Sequence, residues 1–163
     1  MGTGATALAI SVQAATWQTS WLRWMAHIFL VLASVLAVVL LPRYLGRLRD
    51  RAALVREIGD SAHGAMLATL PAGLLVLAAA WGRVGWAPIG VWVDIVLVSV
   101  GALLALWLGL MWSAGLLRGA NELVAVNGGW LIPPVMNLLV PLALAPIIVR
   151  FPQAAQLLTV VGF

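Results

Sequence analysis

Four apolar runs, separated by short polar segments, organise this chain of 163 residues. Runs 21–41 and 89–112 are long enough for a helix to cross a hydrocarbon core of roughly 30 Å, at about 1.5 Å per residue. Run 65–81 is shorter and contains one proline, whereas run 131–149 contains four. The pattern predicts an all-α fold, that of a polytopic helical membrane protein.

Two shorter apolar segments occupy the ends of the chain. A signal peptide is one interpretation of residues 1–15, because VQAA resembles a small-residue cleavage site, but a charged n-region is missing. A truncated span is the interpretation we favour, and residues 153–163 similarly resemble the beginning of a span. We therefore expect one transmembrane domain over residues 1–163, incomplete at both ends.

Composition supports insertion into a membrane. Of all residues, 64% are hydrophobic and 9% are charged, and the mean hydropathy is +1.09. A soluble domain of this length needs far more polar surface. Since the chain has no cysteine, disulfides, thiolate nucleophiles and thiolate metal sites are excluded.

The charge pattern indicates how the chain is oriented. Nine basic residues, all arginine, exceed the five acids and give a net charge of +4. In a soluble protein this excess would suggest nucleic acid, but these arginines lie between apolar runs, so we expect a lipid bilayer and no nucleic acid as partner. Five of them separate the first two full spans: Arg43, Arg47, Arg49, Arg51 and Arg56. The loop from Arg43 to Arg56 is therefore predicted to be cytoplasmic, in the cell (inner) membrane.

Few residues in the predicted spans could take part in catalysis or bind a cofactor. Imidazoles from two facing helices are a common axial pair for haem, but His27 and His63 should lie roughly 20 Å apart along the membrane normal. We expect a hydrogen-bonded packing role for His27, and an interfacial position or a place at a pore mouth for His63. Serine, histidine and acidic residues fall on different sides of the membrane. We therefore predict no enzyme activity, no cofactor and no metal site.

Asp94 is the one acid inside a predicted span. An acid there is a functional candidate by default, and it costs up to ~3 kcal/mol at mid-bilayer. A depth of only about 7 Å lowers that cost. A structural or interfacial role and a role in ion or proton handling both stay open for Asp94.

The interior prolines carry a more specific signal. A proline cannot donate to the carbonyl four residues before it, and inside hydrocarbon that carbonyl must face protein or a water-lined path. Pro71 thus frees the carbonyl of Leu67, and Pro141 frees that of Asn137.

The prolines also define two candidate faces. Pro133 and Pro134 fit the first turn of a helix, where the amide has no partner in any case. Kinks that only shape helix packing are the alternative interpretation of the interior prolines. The residues that share the two candidate faces are Thr69, Pro71 and Gly73 in one span, and Pro134, Asn137 and Pro141 in the other.

Three stretches of the chain resemble a known family. They are MGTGATALAI from Met1, HGAMLATLPAGLLVLA from His63, and NGGWLIPPVMNLLVPLA from Asn127. Their order and spacing are similar to those of the tellurite-resistance and C4-dicarboxylate transporter family, which includes malate permeases, sulfite efflux pumps and slow anion channels. The resemblance covers essentially the whole chain. One departure is Gly64, where family members commonly have proline after the histidine.

The resemblance implies a ring of ten helices in five hairpins, with proline-kinked inner helices around an anion path. This chain would supply about half of that ring, and spans 65–81 and 131–149 would be inner helices. It would then need a second half or partner chains, and it would form an oligomer. The pore-lining candidates that follow are Gly2, Thr3, Gly4, His63, Thr69, Pro71, Gly73, Pro134, Asn137 and Pro141.

Two functions remain open from the sequence. One is transport of small organic or inorganic anions, of the dicarboxylate, sulfite or tellurite type, by a transporter or channel. The other is a non-transporting structural subunit of a larger membrane complex. Neutral helix ends, small residues and freed dipoles, in place of a fixed opposite charge, suit weak binding and rapid release of an anion.

Overall fold

The computed structural model of the protein describes residues 2–49, 67–118, 132–151 and 153. Within these ranges the chain is helical and has no strand, which confirms the all-α fold. His63, Gly64 and nearly all of the predicted partial span 153–163 lie outside the described residues. The helices are α1 (Gly2–Trp17), α2 (Ser20–Arg49), α3 (Thr69–Val84), α4 (Ile89–Arg118) and α5 (Ile132–Arg150).

Two of the helices are long and apolar enough to cross a membrane. The segments concerned are Ser20–Gly46 in α2 and Ile89–Ala114 in α4, with mean hydropathies of 2.5 and 2.4. Both helices expose large apolar side chains, for example Val38 at 70% and Leu103 at 69%. Such surfaces are stable against lipid tails, whereas water would disfavour them.

α2 is longer than the sequence predicted. It continues through Pro42 and ends at Arg49, so Arg43 begins no loop but lies on the last turns of a helix. A proline removes one hydrogen bond and crowds one turn, and a long helix tolerates this when the following turns remain paired.

α3 is the central helix of the described part. It packs against α1, α2, α4 and α5, and ten of its 16 residues are buried. One apolar cluster joins it to α4 and α5 through Leu75, Val98 and Met136, while a second joins it to α1 and α2 through Leu77 and Leu30. Small residues allow such close approach between membrane helices. In α3 these are Ala72, Ala78, Ala79, Ala80 and Gly82.

Gly82 lies where α3, α4 and α5 come closest together. A Cβ atom at this position would lie 2.8 Å from the Cβ of Pro146 and would overlap the carboxylate of Asp94. The three helices can pack at this distance only because residue 82 has no side chain. Gly46 near the end of α2 is different, because a Cβ there would meet no atom within 4 Å.

We predict that Gly82→Ala destabilises the protein by about 1–3 kcal/mol, since overpacking forces neighbouring helices apart. Thermal unfolding of the purified protein in detergent measures the change as a lower midpoint. Gly46→Ala is the matched control, and it should leave the midpoint unchanged or raise it slightly because alanine favours helix. Equal midpoints for the two variants would contradict the tight contact at Gly82.

Candidate functional site

A cavity of about 610 Å³ lies between α1, α2 and α3. Alanine and leucine side chains of α2 and α3 form most of its wall. The polar and small groups come from Thr3 and Gly4 on α1 and from Thr69 and Gly73 on α3. The cavity is partly open, so a molecule outside the helix cluster has access to it.

Four of the predicted pore-lining residues meet in this cavity: Thr3, Gly4, Thr69 and Gly73. They come from two helices that are more than fifty residues apart in sequence, and the contact between α1 and α3 brings them together. Gly4 is buried, and a Cβ on it would lie 3.3 Å from Cγ1 of Val76, so glycine permits this helix contact.

Gly2 and Pro71 do not line the cavity. Gly2 is exposed, with no atom within 4 Å of the position of a Cβ. Pro71 is fully buried among the helices. The sequence placed Pro71 inside a span, as a kink, but α3 begins at Thr69, so Pro71 lies in its first turn. There the missing amide disrupts little, as in the first turn of any helix.

The carbonyl that Pro71 leaves free has a protein partner. The hydroxyl of Tyr44 on α2 donates a hydrogen bond of 2.7 Å to the carbonyl oxygen of Leu67. The sequence required either protein or water at this carbonyl, and the structure places a tyrosine there. Because Tyr44 also lines the cavity, this bond fixes one wall of the cavity to the start of α3.

Arg43 is a cavity residue that the sequence reasoning assigned to topology alone. Its neighbour Tyr44 and the leucines one turn before it line the same cavity, so the arginine lies at the end of an apolar helix face. Within the described part of the chain, its guanidinium has no hydrogen-bond or ion-pair partner. The available signal was spacing: Leu36, Leu40 and Arg43 recur at intervals of four and three, as residues on one helix face do.

The polar face predicted on α5 lies elsewhere. Asn137 and Pro141 are exposed and are not part of the cavity wall. Asn137 lies beside α4, because a Cβ on Gly109 would be 3.4 Å from its Nδ2 atom. Pro141 is inside the helix, whereas Pro134 is in its first turn, as its spacing predicted. The described residues therefore show two separate candidate faces.

Asp94 is remote from the cavity. Its side chain is 1% exposed and lies against Gly82, beside which Pro146 also lies, where α3, α4 and α5 meet. Arg150 is near enough to interact electrostatically with the carboxylate, and its Nη2 donates to the carbonyl of Gly82 at 3.5 Å. Among the described residues, Oδ1 of Asp94 has no hydrogen-bond partner. The structural role and the role in ion or proton handling both stay predictions for Asp94.

His27 belongs to an aromatic cluster at the other end of α2. Its Nδ1 lies 2.7 Å from the carbonyl oxygen of Arg23, and its ring centroid lies 5.1 Å from that of Trp86. Trp86 also packs edge-on against Trp81, whose indole nitrogen donates to Ser34. These contacts agree with the packing role expected of His27.

Comparison with known proteins identifies one family. The sequence model described as voltage-dependent anion channel matches residues 1–163, which is the whole chain. This match confirms the resemblance to the tellurite-resistance and C4-dicarboxylate transporters, which belong to the same family. No match was found among the curated proteins or among the solved structures.

We predict that Tyr44→Phe destabilises the protein by about 1–3 kcal/mol, because it removes the hydrogen bond to the part-buried carbonyl of Leu67. The measurement is the free energy of unfolding in detergent. Ser99→Ala is the control and should cost less. The hydroxyl of Ser99 donates to the carbonyl of Ile95, but this carbonyl also accepts a hydrogen bond from a backbone amide of its own helix and so stays paired in the variant.

A double-mutant cycle tests the reason for this loss. Pro71→Ala restores an amide four residues after Leu67, and the neighbouring amide of Ala72 already bonds to the carbonyl of Ala68 at 3.3 Å. In the Pro71→Ala background we therefore expect Tyr44→Phe to cost less. The same cost in both backgrounds would contradict the pairing of Tyr44 with the carbonyl that Pro71 frees.

Proposed function

Because the chain belongs to the voltage-dependent anion channel family, we propose that it carries small anions across a membrane along the cavity between α1, α2 and α3. The family consists of integral membrane channels and transporters and not of enzymes. The observation that supports this route is the convergence of Thr3, Gly4, Thr69 and Gly73 on one cavity. Dicarboxylates, sulfite and tellurite-type oxyanions are the substrates that we include in the proposal.

The electrostatics of the cavity wall favour an anion. None of the cavity-lining residues in the described part is acidic, and Arg43 is the one that carries a charge. A cation at the mouth raises the local concentration of anions. Hydroxyl groups and glycine backbone along the remaining wall bind an anion weakly, so that it can also leave.

The proposal includes the orientation and the assembly of the protein. We place the Arg43 end of α2 on the cytoplasmic side of the cell membrane, because arginine-rich segments are retained there. The exposed face of α5 with Asn137 and Pro141 would then line the path on the opposite side of the same ring. A second half or partner chains would complete that ring, and the protein would form an oligomer.

Flux measurements on proteoliposomes test transport along the cavity. We expect the protein to conduct sulfite or a C4-dicarboxylate faster than empty vesicles do. Gly73→Leu should lower the flux toward that of empty vesicles, because a side chain of this size fills the space between α1 and α3. Gly46→Leu adds the same side chain where no atom lies within 4 Å, and it should conduct normally. Normal flux through a folded Gly73→Leu variant would exclude this cavity as the path.

The face on α5 has its own test. We expect Asn137→Leu to lower anion flux without loss of folded protein, because it removes the only carboxamide that α5 offers to a passing anion. Val135→Ala changes a residue that is 49% exposed and lies about 200° around the helix from Asn137, and it should leave the flux unchanged. Unchanged flux in Asn137→Leu would remove Asn137 from the path.

A further inference from the structure

The cavity is large for sulfite, a C4-dicarboxylate or another small anion. Its volume of about 610 Å³ lies within the roughly 300–1,000 Å³ that is usual for pockets that bind organic molecules. A liquid water molecule takes up about 30 Å³, so an oxyanion of a few atoms would leave most of the space to be filled with water. The volume of the cavity therefore favours an organic ligand with a longer carbon skeleton.

Along α2, the wall of the cavity has a long apolar part and a charged end. Ala33, Leu36, Ala37, Leu40 and Leu41 form an apolar surface, and Arg43 follows it directly. From residue 33 to residue 43 the helix rises about 15 Å. α3 adds Leu70, Leu74 and Leu77 on the facing side. A molecule that matches this wall has a hydrocarbon part about as long as the apolar stretch and one charged end.

The charged end has to be an anion. Arg43 has no partner among the described residues, and a guanidinium binds a carboxylate with two parallel hydrogen bonds. Tyr44 beside it already donates its hydroxyl hydrogen to the carbonyl of Leu67. Arg43 is therefore the cavity residue that is both charged and available for a ligand head group.

We propose that this cavity binds a single-chain amphiphilic monocarboxylate, with its carboxylate on Arg43 and its hydrocarbon chain between the leucines of α2 and α3. This proposal names a ligand for the cavity of the proposed function. It rests on that function in one respect, namely that the bound monocarboxylate is also the transported anion. We expect the cavity to select its ligand by the length of the hydrocarbon chain. Each methylene buried against Leu36, Leu40 and Leu74 should tighten binding about threefold to fourfold until the apolar wall ends.

The first experiment measures binding separately from transport. The protein in nanodiscs of zwitterionic lipid is titrated calorimetrically with butanoate, hexanoate and octanoate, and with empty nanodiscs as the blank. We expect the affinity to rise along this series and octanol to bind more weakly than octanoate. Arg43→Gln should lower octanoate affinity at least about tenfold, the loss expected for a charge-assisted contact. Arg23→Gln, on the same helix but outside the cavity, is the matched control.

A second variant keeps the test valid if Arg43→Gln does not fold. Ala37→Leu fills the apolar end of the cavity and leaves Arg43 in place. It should shorten the preferred chain, so that octanoate loses affinity while butanoate does not. Equal affinity for all chain lengths in the unaltered protein, or octanoate binding that survives both variants, would overturn the proposal.

Flux assays on the same preparations distinguish this proposal from the broader one. Passage of octanoate, inhibited by Ala37→Leu, supports both. A different result is that sulfite or a C4-dicarboxylate passes, while octanoate neither passes nor inhibits that flux. This result would overturn the proposal of an amphiphilic ligand and leave the proposal of anion transport in place. Octanoate binding that depends on Arg43, without passage of any anion, would overturn transport and support the binding site alone.

Discussion

The hydrogen bond from the Tyr44 hydroxyl to the Leu67 carbonyl connects α2 to the beginning of α3 and so fixes the wall of the cavity. It answers a constraint that the membrane imposes on every helix, which is that a backbone polar group in hydrocarbon needs a partner. Pro71 has no amide hydrogen to donate to this carbonyl, and the tyrosine supplies a donor from 23 residues away in the sequence. The contact between α2 and α3 and the shape of the cavity therefore depend on the same few atoms.

The close packing of α3 follows from a second constraint. Lipid offers no hydrophobic driving force between helices, so contact distance and van der Waals packing decide which helices associate. Alanine and glycine along α3 permit contact with four neighbours at once, and Gly82 brings the carboxylate of Asp94 into the apolar core. The proximity of Arg150 compensates part of the unfavourable burial of that carboxylate. Asp94 and Gly82 lie at the same contact between α3, α4 and α5, and neither residue lines the cavity between α1, α2 and α3.

The sequence predicted the features that depend on local chemistry. Apolar length and composition indicated an all-α membrane protein, and the spacing of Pro133 and Pro134 placed them in the first turn of α5. The meeting of Thr3 with Thr69 followed from the family resemblance and not from either motif alone, because it depends on which helices pack side by side. Two helix ends differ from the expected bounds. α2 continues past Pro42 to Arg49, and α3 begins at Thr69, which places Pro71 in its first turn. Tertiary partners such as Tyr44 decide where a helix ends, and a one-dimensional pattern does not contain them.

Arg43 shows how one residue can serve two physical purposes. As part of an arginine-rich segment it is expected to favour the proposed orientation of the chain, an effect that depends only on charge and on position along the sequence. As the last residue of an apolar face on α2 it places that same charge at the mouth of a cavity. The second purpose requires that the helix continue through Pro42, because a helix that ended at Leu41 would release the arginine into a loop. The continuation of α2, and not the presence of a basic residue alone, is therefore what places Arg43 on the wall of the cavity, where we propose that it binds an anion.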